Sequence, residues 1–290
     1  MSSAGSTSRW VPEPPVALPP GRVLHVPGRG ELFLRDTGGD GTPVLLLHGW
    51  MFSADLNFWG NYAVLEDAGY RVLALDHRGH GRGLRTPAPF RLADCAADAA
   101  AVLELVGAEP ALVVGYSMGG PVGQLMARDH PGSISGLVLC ATSSHWTNAR
   151  QRVLWRSVAG LRLMLGLAPD AALRRGLRLA GFPDAPLTTW IAAELTRGSA
   201  VDLAEAGREL STYDARKWLA ALEVPAAVVV TVRDRSVPPS HQRELAGLLG
   251  AATFEVDGDH GAAVTTPQHF NPALLRALEA VARPAATVAA

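Results

Sequence analysis

Along this chain the spacing of apolar and polar positions switches repeatedly between the period of a strand and that of a helix. Arg22 to Val26 and Glu31 to Asp36 are two short strand-like runs, separated by Pro27-Gly28-Arg29-Gly30, which is a hairpin signal. Pro43 to Leu47, Arg71 to Leu75 and a run from Ala111 that stops at Gly115 are continuously apolar, as expected of parallel strands covered on both faces. Between them, Leu92, Ala96, Ala99, Leu103 and Val106 recur at helical spacing over Arg91 to Val106, with Asp94, Asp98 and Glu104 on other sides. Ile134 to Ala141 is the next strand. Strands and helices therefore alternate from residue 43 to 141. This predicts right-handed βαβ units: an α/β fold with a mostly parallel central sheet and helices on both faces.

The alternation breaks at Thr142. Residues 146 to 215 hold helical patterns over Arg150 to Leu167, Pro169 to Ala180 and Leu187 to Leu210, the last interrupted at Gly198, and no good strand. Their size and place predict a helical lid inserted into the core. The two-layer pattern then resumes with a strand over Ala226 to Val232, a helix over Pro238 to Leu249, a strand over Ala252 to Val256 and a closing helix over Pro272 to Val281. The expected organisation is a proline-rich, flexible or extended leader over 1–21, a core over 22–145 and 216–283, the lid over 146–215 and a tail over 284–290.

Composition narrows the class. With 290 residues, 48 % of them hydrophobic and 18 % charged, the chain has enough for one large domain with a sizeable core. Lys plus Arg number 26 against 27 Asp plus Glu, and the net charge of −1 gives no reason to expect a nucleic-acid partner. Cys95 falls on a helix and Cys140 ends a strand, so both read as buried hydrophobes rather than a disulfide or a metal pair. The start lacks an apolar signal-peptide core, and no stretch reaches the ~18 uncharged apolar residues of a membrane span. A cytoplasmic location is expected.

Candidate chemistry centres on Gly115-Tyr116-Ser117-Met118-Gly119, a G-x-S-x-G pattern lying between a strand and a helix. A Cβ at Gly115 or Gly119 would crowd a turn that tight. The turn would hold Ser117 out of the sheet beside the Met118 N–H, at a helix N-terminus. A glycine-lined turn that merely contains a serine is the plainer reading, so partners must decide. A serine hydroxyl needs a base to take its proton, and the base needs an acid to fix its tautomer. His260, in the loop after the strand ending at Val256, is the best base. His241 and His269 lie in or beside helices that run away from the strand ends, and His130 sits at the far end of the helix after Ser117. Asp234, after the strand ending at Val232, is the best acid, with Asp257 and Asp259 as competitors.

The order Ser, Asp, His, the run Gly115 to Gly120, the early His48-Gly49, the loop Asp76-His77-Arg78-Gly79-His80-Gly81 and the late Asp259-His260-Gly261 resemble the α/β-hydrolase fold superfamily over about residues 31 to 282. The resemblance implies that His48-Gly49 shape a loop whose Trp50 N–H joins that of Met118 to hold a developing oxyanion. It implies that Asp76 to Gly81 is a structural turn, despite its two histidines, and that neither cofactor nor metal is needed. Related families, the haloalkane dehalogenases and most epoxide hydrolases, use an aspartate nucleophile. Serine implies instead acyl transfer from an ester, thioester or amide, as in serine esterases and lipases. The same triad also resembles cofactor-free haloperoxidases and carbon–carbon bond hydrolases. His48-Gly49-Trp50 departs from the His-Gly-Gly pattern of lipases by placing a large ring at the third position, which suggests a bulky wall to the acyl pocket. Substrate contacts are expected from His48, Gly49, Trp50, Tyr116 and Trp146.

From Trp146 to Ala180 seven arginines stand against one acid, Asp170. Such a lid could meet an anionic lipid surface, but an ordinary amphipathic lid over the core is the preferred reading. The leading expectation is a hydrolase of a small-molecule carboxylic ester with a small to medium apolar acyl group. The second is a non-catalytic receptor that uses the same pocket for ligand binding.

Overall fold

The hairpin expected near the start is present as β1 (Gly21–Val26) and β2 (Gly30–Asp36) in the computed structural model, which describes residues 12–146 and 186–282. Six further strands follow: β3 (Thr42–Leu47), β4 (Tyr70–Leu75), β5 (Ala111–Tyr116), β6 (Ile134–Cys140), β7 (Ala226–Thr231) and β8 (Ala252–Val256). They form one sheet in the order β1-β2-β4-β3-β5-β6-β7-β8. Only the β1–β2 and β2–β4 pairs are antiparallel. Every pair from β4 to β8 is parallel. The chain winds one way from β3 to β4 and the other way from β3 to β5, so a crevice opens beyond the carboxyl ends of β3 and β5. His48-Gly49 and Ser117 follow those two ends.

The continuous apolar strands serve both faces by simple alternation. Leu45 and Leu47 pack with residues of α3 (Leu92–Leu105) and α4 (Gly119–Asp129). Val44 and Leu46 pack with Leu65 of α2 (Tyr62–Asp67) and with Phe270, Leu274 and Leu278 of the closing helix. All four of these strand side chains are fully buried, and truncating one to alanine would cost about 2–5 kcal/mol. A short α1 (Ala54–Phe58) follows the β3 loop and is capped by Ser53, whose hydroxyl accepts from Leu56 N–H.

After the break at Thr142 the described chain re-enters as α5 (Pro186–Leu195) and α6 (Ala200–Thr212), parted at Gly198 as the sequence suggested. Ser199 caps α6 by accepting from Asp202 N–H at 3.3 Å. An isolated bridge between His145 and Asp214, with Trp146 N–H donating to Tyr213 C=O at 3.1 Å, brings the two ends of this excursion side by side. The helices expected over Arg150–Leu167 and Pro169–Ala180, with their arginines, lie outside the described residues. The chain ends with α7 (Pro239–Leu249), α8 (Ala262–Thr265) and α9 (Pro267–Ala282).

One element differs from its expected form. The closing helix starts at Pro267 and carries Pro272 inside it. Its first turn is fixed from outside, because Asn271 donates to Gly60 C=O at 2.9 Å and accepts from Asn61 at 2.5 Å while Phe270 is fully buried. The end of the proline-rich leader is tied to the sheet. Pro19 C=O accepts from the Arg35 guanidinium at 2.8 Å, and Pro20 C=O from Asp36 N–H at 3.0 Å. Cys95 and Cys140 are buried free thiols. No helix among the described residues is long and apolar enough to cross a membrane.

Candidate active site

Ser117 sits at φ 51°, in the left-handed region that costs an L-residue about 1–3 kcal/mol unless its surroundings impose it. Here they do. Ser117 N–H donates to Cys140 C=O at 3.0 Å, and Ser117 C=O accepts from Gly120 N–H at 2.9 Å and from the Thr142 hydroxyl at 2.7 Å. The two flanking glycines let β5 and α4 meet. A Cβ on Gly115 would lie 2.4 Å from Gly119 O, and one on Gly119 would lie 2.0 Å from Leu47 O. Both contacts are with backbone, so neither can be relieved by turning a side chain.

The hydroxyl so presented lies 3.0 Å from His260 Nε2, and His260 Nδ1 lies 2.7 Å from Asp234 Oδ2. The Asp234 side chain is fully buried, whereas that of His260 is 31 % exposed and so reaches both the carboxylate and the cleft. Asp234 Oδ1 accepts from Ser236 and Val237 N–H at 2.8 Å each, and Oδ2 also accepts from the Thr231 hydroxyl at 3.0 Å. An acceptor-only carboxylate at 2.7 Å requires the proton on Nδ1, which leaves the Nε2 lone pair to face Ser117. The competing acids point elsewhere. Asp257 is exposed and paired with Arg233, and Asp259 accepts from Gly261 N–H. Of the rejected histidines, His241 stacks against His145 with ring centroids 5.0 Å apart.

The loop after β3 lies against the serine, since a Cβ on Gly49 would stand 3.3 Å from Ser117 Cβ. Gly49 N–H donates to Asn57 Oδ1 at 2.8 Å, which fixes the loop from α1. Trp50 and Met118 are thus the residues next along the two backbones that converge on Ser117, and Met118 occupies the start of α4, where N–H groups lack intrahelical acceptors. The Trp50 indole donates to Leu203 C=O on α6 at 2.7 Å.

Of the residues expected to contact substrate, Gly49 lies at the serine with Trp50 next to it in the chain, and three are packed inside. His48 is fully buried: its Nδ1 bonds Gly49 O at 2.8 Å, and its Nε2 accepts from His77 N–H at 3.0 Å. Its ring is 4.4 Å from that of His77 and 5.5 Å from that of His80. Burial pushes the His48 pKa well below its usual value, that of His77 down to about 3 and that of His80 to about 4, so all three are neutral supports for the loop. Trp146 is 5 % exposed and joins the main core. The Tyr116 ring packs edge-on against Phe58 and Phe270, and its hydroxyl donates to His260 C=O at 2.8 Å, so it anchors the loop that carries the imidazole.

The Asp76–Gly81 turn is likewise closed by its own residues. Asp76 accepts from Ala54 and Arg82 N–H at 2.7 Å each, and Arg78 forks onto Asp98 at 2.8 and 2.9 Å. Burial raises the Asp76 pKa to about 6. Sequence reasoning missed Thr231, Gln242 and Asn57. Thr231 could have been found, standing at a strand end three residues before Asp234. Gln242, which accepts from Thr231 N–H at 3.0 Å and donates to Val237 C=O at 2.8 Å, and Asn57 gave no local signal.

Comparison with known proteins agrees with this architecture. The sequence pattern of the alpha/beta hydrolase fold matches residues 42–264. The RutD protein of Caulobacter vibrioides, whose carbamate hydrolase designation is itself provisional, is 28 % identical over 241 residues, covering 77 % of this chain and 85 % of that one. The 3-oxoadipate enol-lactonase 2 of Acinetobacter baylyi is 27 % identical over 224 residues, covering 76 % and 83 %. A hydrolase from Pseudomonas aeruginosa of known structure superposes with a TM-score of 0.76 at 26 % identity, over 89 % of this chain and 98 % of its own. With the family pattern spanning the sheet from β3 to α8, this chain belongs to the alpha/beta hydrolase fold family.

Proposed function

We propose that this protein is a serine hydrolase that cleaves carboxylic esters through an acyl-enzyme on Ser117. The observation that carries the reading is the unbroken path from Ser117 Oγ to His260 Nε2 at 3.0 Å and from His260 Nδ1 to Asp234 at 2.7 Å. As Ser117 Oγ attacks the carbonyl carbon, its proton passes to His260 Nε2, and the buried Asp234 carboxylate stabilises the imidazolium that results. The N–H groups of Trp50 and Met118 take the negative charge that develops on the carbonyl oxygen, and losing one such donor typically costs about 3 kcal/mol in the transition state. The leaving alcohol oxygen then receives the proton from His260, and water repeats the sequence to release the acid.

The enol-lactonase relative supports the ester as the bond broken, because a lactone is a cyclic ester. The acyl group is small to medium and apolar, bounded by Trp50. Of the expected lid, the described helix α6 reaches the oxyanion loop through the Trp50–Leu203 hydrogen bond. The protein works as a cytoplasmic enzyme on a small molecule. Steady-state hydrolysis of p-nitrophenyl esters from acetyl to decanoyl tests the reading. Turnover should fall off with long chains, and Asp234→Asn should lower kcat by about 10⁴. No turnover at any chain length would leave a ligand-binding receptor in place of the enzyme.

A further inference from the structure

Asp234 stands in the middle of the turn that joins the end of β7 to the start of α7, and one buried amide grips both ends of that turn. Gln242 lies on α7 and is fully buried. Its Oε1 accepts from Thr231 N–H at 3.0 Å, and its Nε2 donates to Val237 C=O at 2.8 Å and to the Thr231 hydroxyl oxygen at 3.0 Å. Thr231 N–H can only donate and Val237 C=O can only accept, so these neighbours leave the amide one orientation. Both N–H hydrogens of Nε2 are then spent on its two nearest partners, with Asp234 Oδ2 farther off at 3.4 Å. The Thr231 hydroxyl proton has two oxygens in reach, Asp234 Oδ2 at 3.0 Å and Gln242 Oε1 at 3.4 Å. The nearer one is charged and the farther one already takes Thr231 N–H, so the proton goes to Asp234.

That same Oδ2 is the oxygen that accepts from His260 Nδ1 at 2.7 Å. Its companion Oδ1 is held by the Ser236 and Val237 N–H groups of the turn itself. Thr231 is therefore the near partner that holds Oδ2 from a side other than that of the imidazole. We propose that Gln242 and Thr231 are positioning residues acting in series: Gln242 aims the Thr231 hydroxyl, and that hydroxyl holds Asp234 Oδ2 in line with His260 Nδ1. The inference rests on the serine-hydrolase reading, in which His260 must turn the proton it takes from Ser117 over to a leaving oxygen while its other nitrogen stays on Asp234. Both residues are fully buried, so bulk water is not at hand to replace a missing donor.

Thr231→Val keeps the branched shape and removes the hydroxyl. With p-nitrophenyl butyrate it should lower kcat roughly tenfold and leave KM unchanged, the size of one lost hydrogen bond to a charged group. Thr231→Ser, which keeps the hydroxyl, should restore most of the rate. Gln242→Met should lower kcat at least as far and lower Tm as well, because it leaves Thr231 N–H and Val237 C=O without their partner. A wild-type kcat in Thr231→Val would overturn the proposal. Proton NMR reads the same geometry without turnover. The far-downfield signal of His260 Nδ1–H, identified by its absence from His260→Gln, should broaden through faster exchange in fully folded Thr231→Val and sharpen again in Thr231→Ser. An unchanged signal in Thr231→Val overturns the positioning role whether or not esters are cleaved. A broadened signal in a protein that cleaves no ester upholds that role and removes the hydrolase reading instead.

Discussion

The Ser117 elbow and the α5–α6 helix pair both border the loop that follows β3, and they are held there by opposite means. The elbow is backbone against backbone: two glycines let strand and helix approach to distances that a single methyl group would violate. The helix pair is held by polar contacts, most of them with residues far along the chain. Ser53 donates to Glu194 at 2.8 Å, Arg82 donates to it at 2.9 Å, and Arg197 at 2.7 Å. Trp50 donates to Leu203 C=O, Phe90 N–H to Glu205 at 2.8 Å, and Ser199 N–H to Gly79 C=O at 2.8 Å. A backbone collision has no cheap escape, whereas polar partners of this kind can exchange for water one at a time. The elbow should therefore open only when the whole domain unfolds, and the helix pair should open by itself at lower cost.

The sharpest way to break the contrast is Gly119→Ala. The new methyl would meet the Leu47 carbonyl, so global stability should drop by about 3 kcal/mol or more, seen as a large fall in Tm. A normal Tm would mean that the elbow is not set by backbone contact. Acid should act on the same region next. His48, His77 and His80 stay neutral when folded, with their pKa values pushed below the ordinary 6.5. Below pH 6.5 the unfolded chain binds protons that the folded one does not, so stability should fall by about 1.4 kcal/mol per pH unit for each of them. Asp76, with its pKa raised to about 6, acts in the opposite sense, taking up a proton in the folded state as the pH falls. Urea unfolding at pH 7.5 and 5.5 measures the sum, and a flat profile would contradict the buried triple. His77→Phe should flatten it partly.

Glu194→Gln should have the smaller and more local effect. Its carboxylate is 1 % exposed, but Arg82 and Arg197 are 24 % and 34 % exposed and keep water as an alternative. About 2 kcal/mol is expected, less than for a fully buried pair. Faster hydrogen exchange confined to 186–212, with the core unchanged, is the predicted readout. Uniform loss of protection would show that the helix pair is no independent unit. Trp50→Phe, which removes the indole donor to Leu203 together with part of the ring, should cost about 1 kcal/mol in the same local opening.

This contrast also decides what could be read from the sequence. The strands and the elbow are carried by periodicity and by a short pattern, because each is imposed within a dozen residues of chain, and Asp234 and His260 stand out by following later strands. The core strands lie within one residue of where their apolar runs place them. Glu194, Asn57 and Gln242 carry no signal of their roles in the sequence, because their partners lie on other elements. Tyr116 and Trp146 went inward for the same reason. A large aromatic beside a nucleophile is equally suited to line a pocket or to brace a loop, and only the packing of Phe58, Phe270 and the His260 carbonyl decides for Tyr116. The start of α9 at Pro267 was hidden by Pro272, since nothing local shows that Gly60 and Asn61 hold its first turn.

The central claim, that Ser117 is acylated, is tested most directly by mass spectrometry of the protein quenched during turnover of p-nitrophenyl butyrate. The account predicts a butyryl adduct on the peptide that carries Ser117, accumulating in Asp234→Asn and absent from Ser117→Ala, which should have no activity. Full turnover by Ser117→Ala, or an acyl adduct that forms on another residue at the rate of hydrolysis, would contradict it.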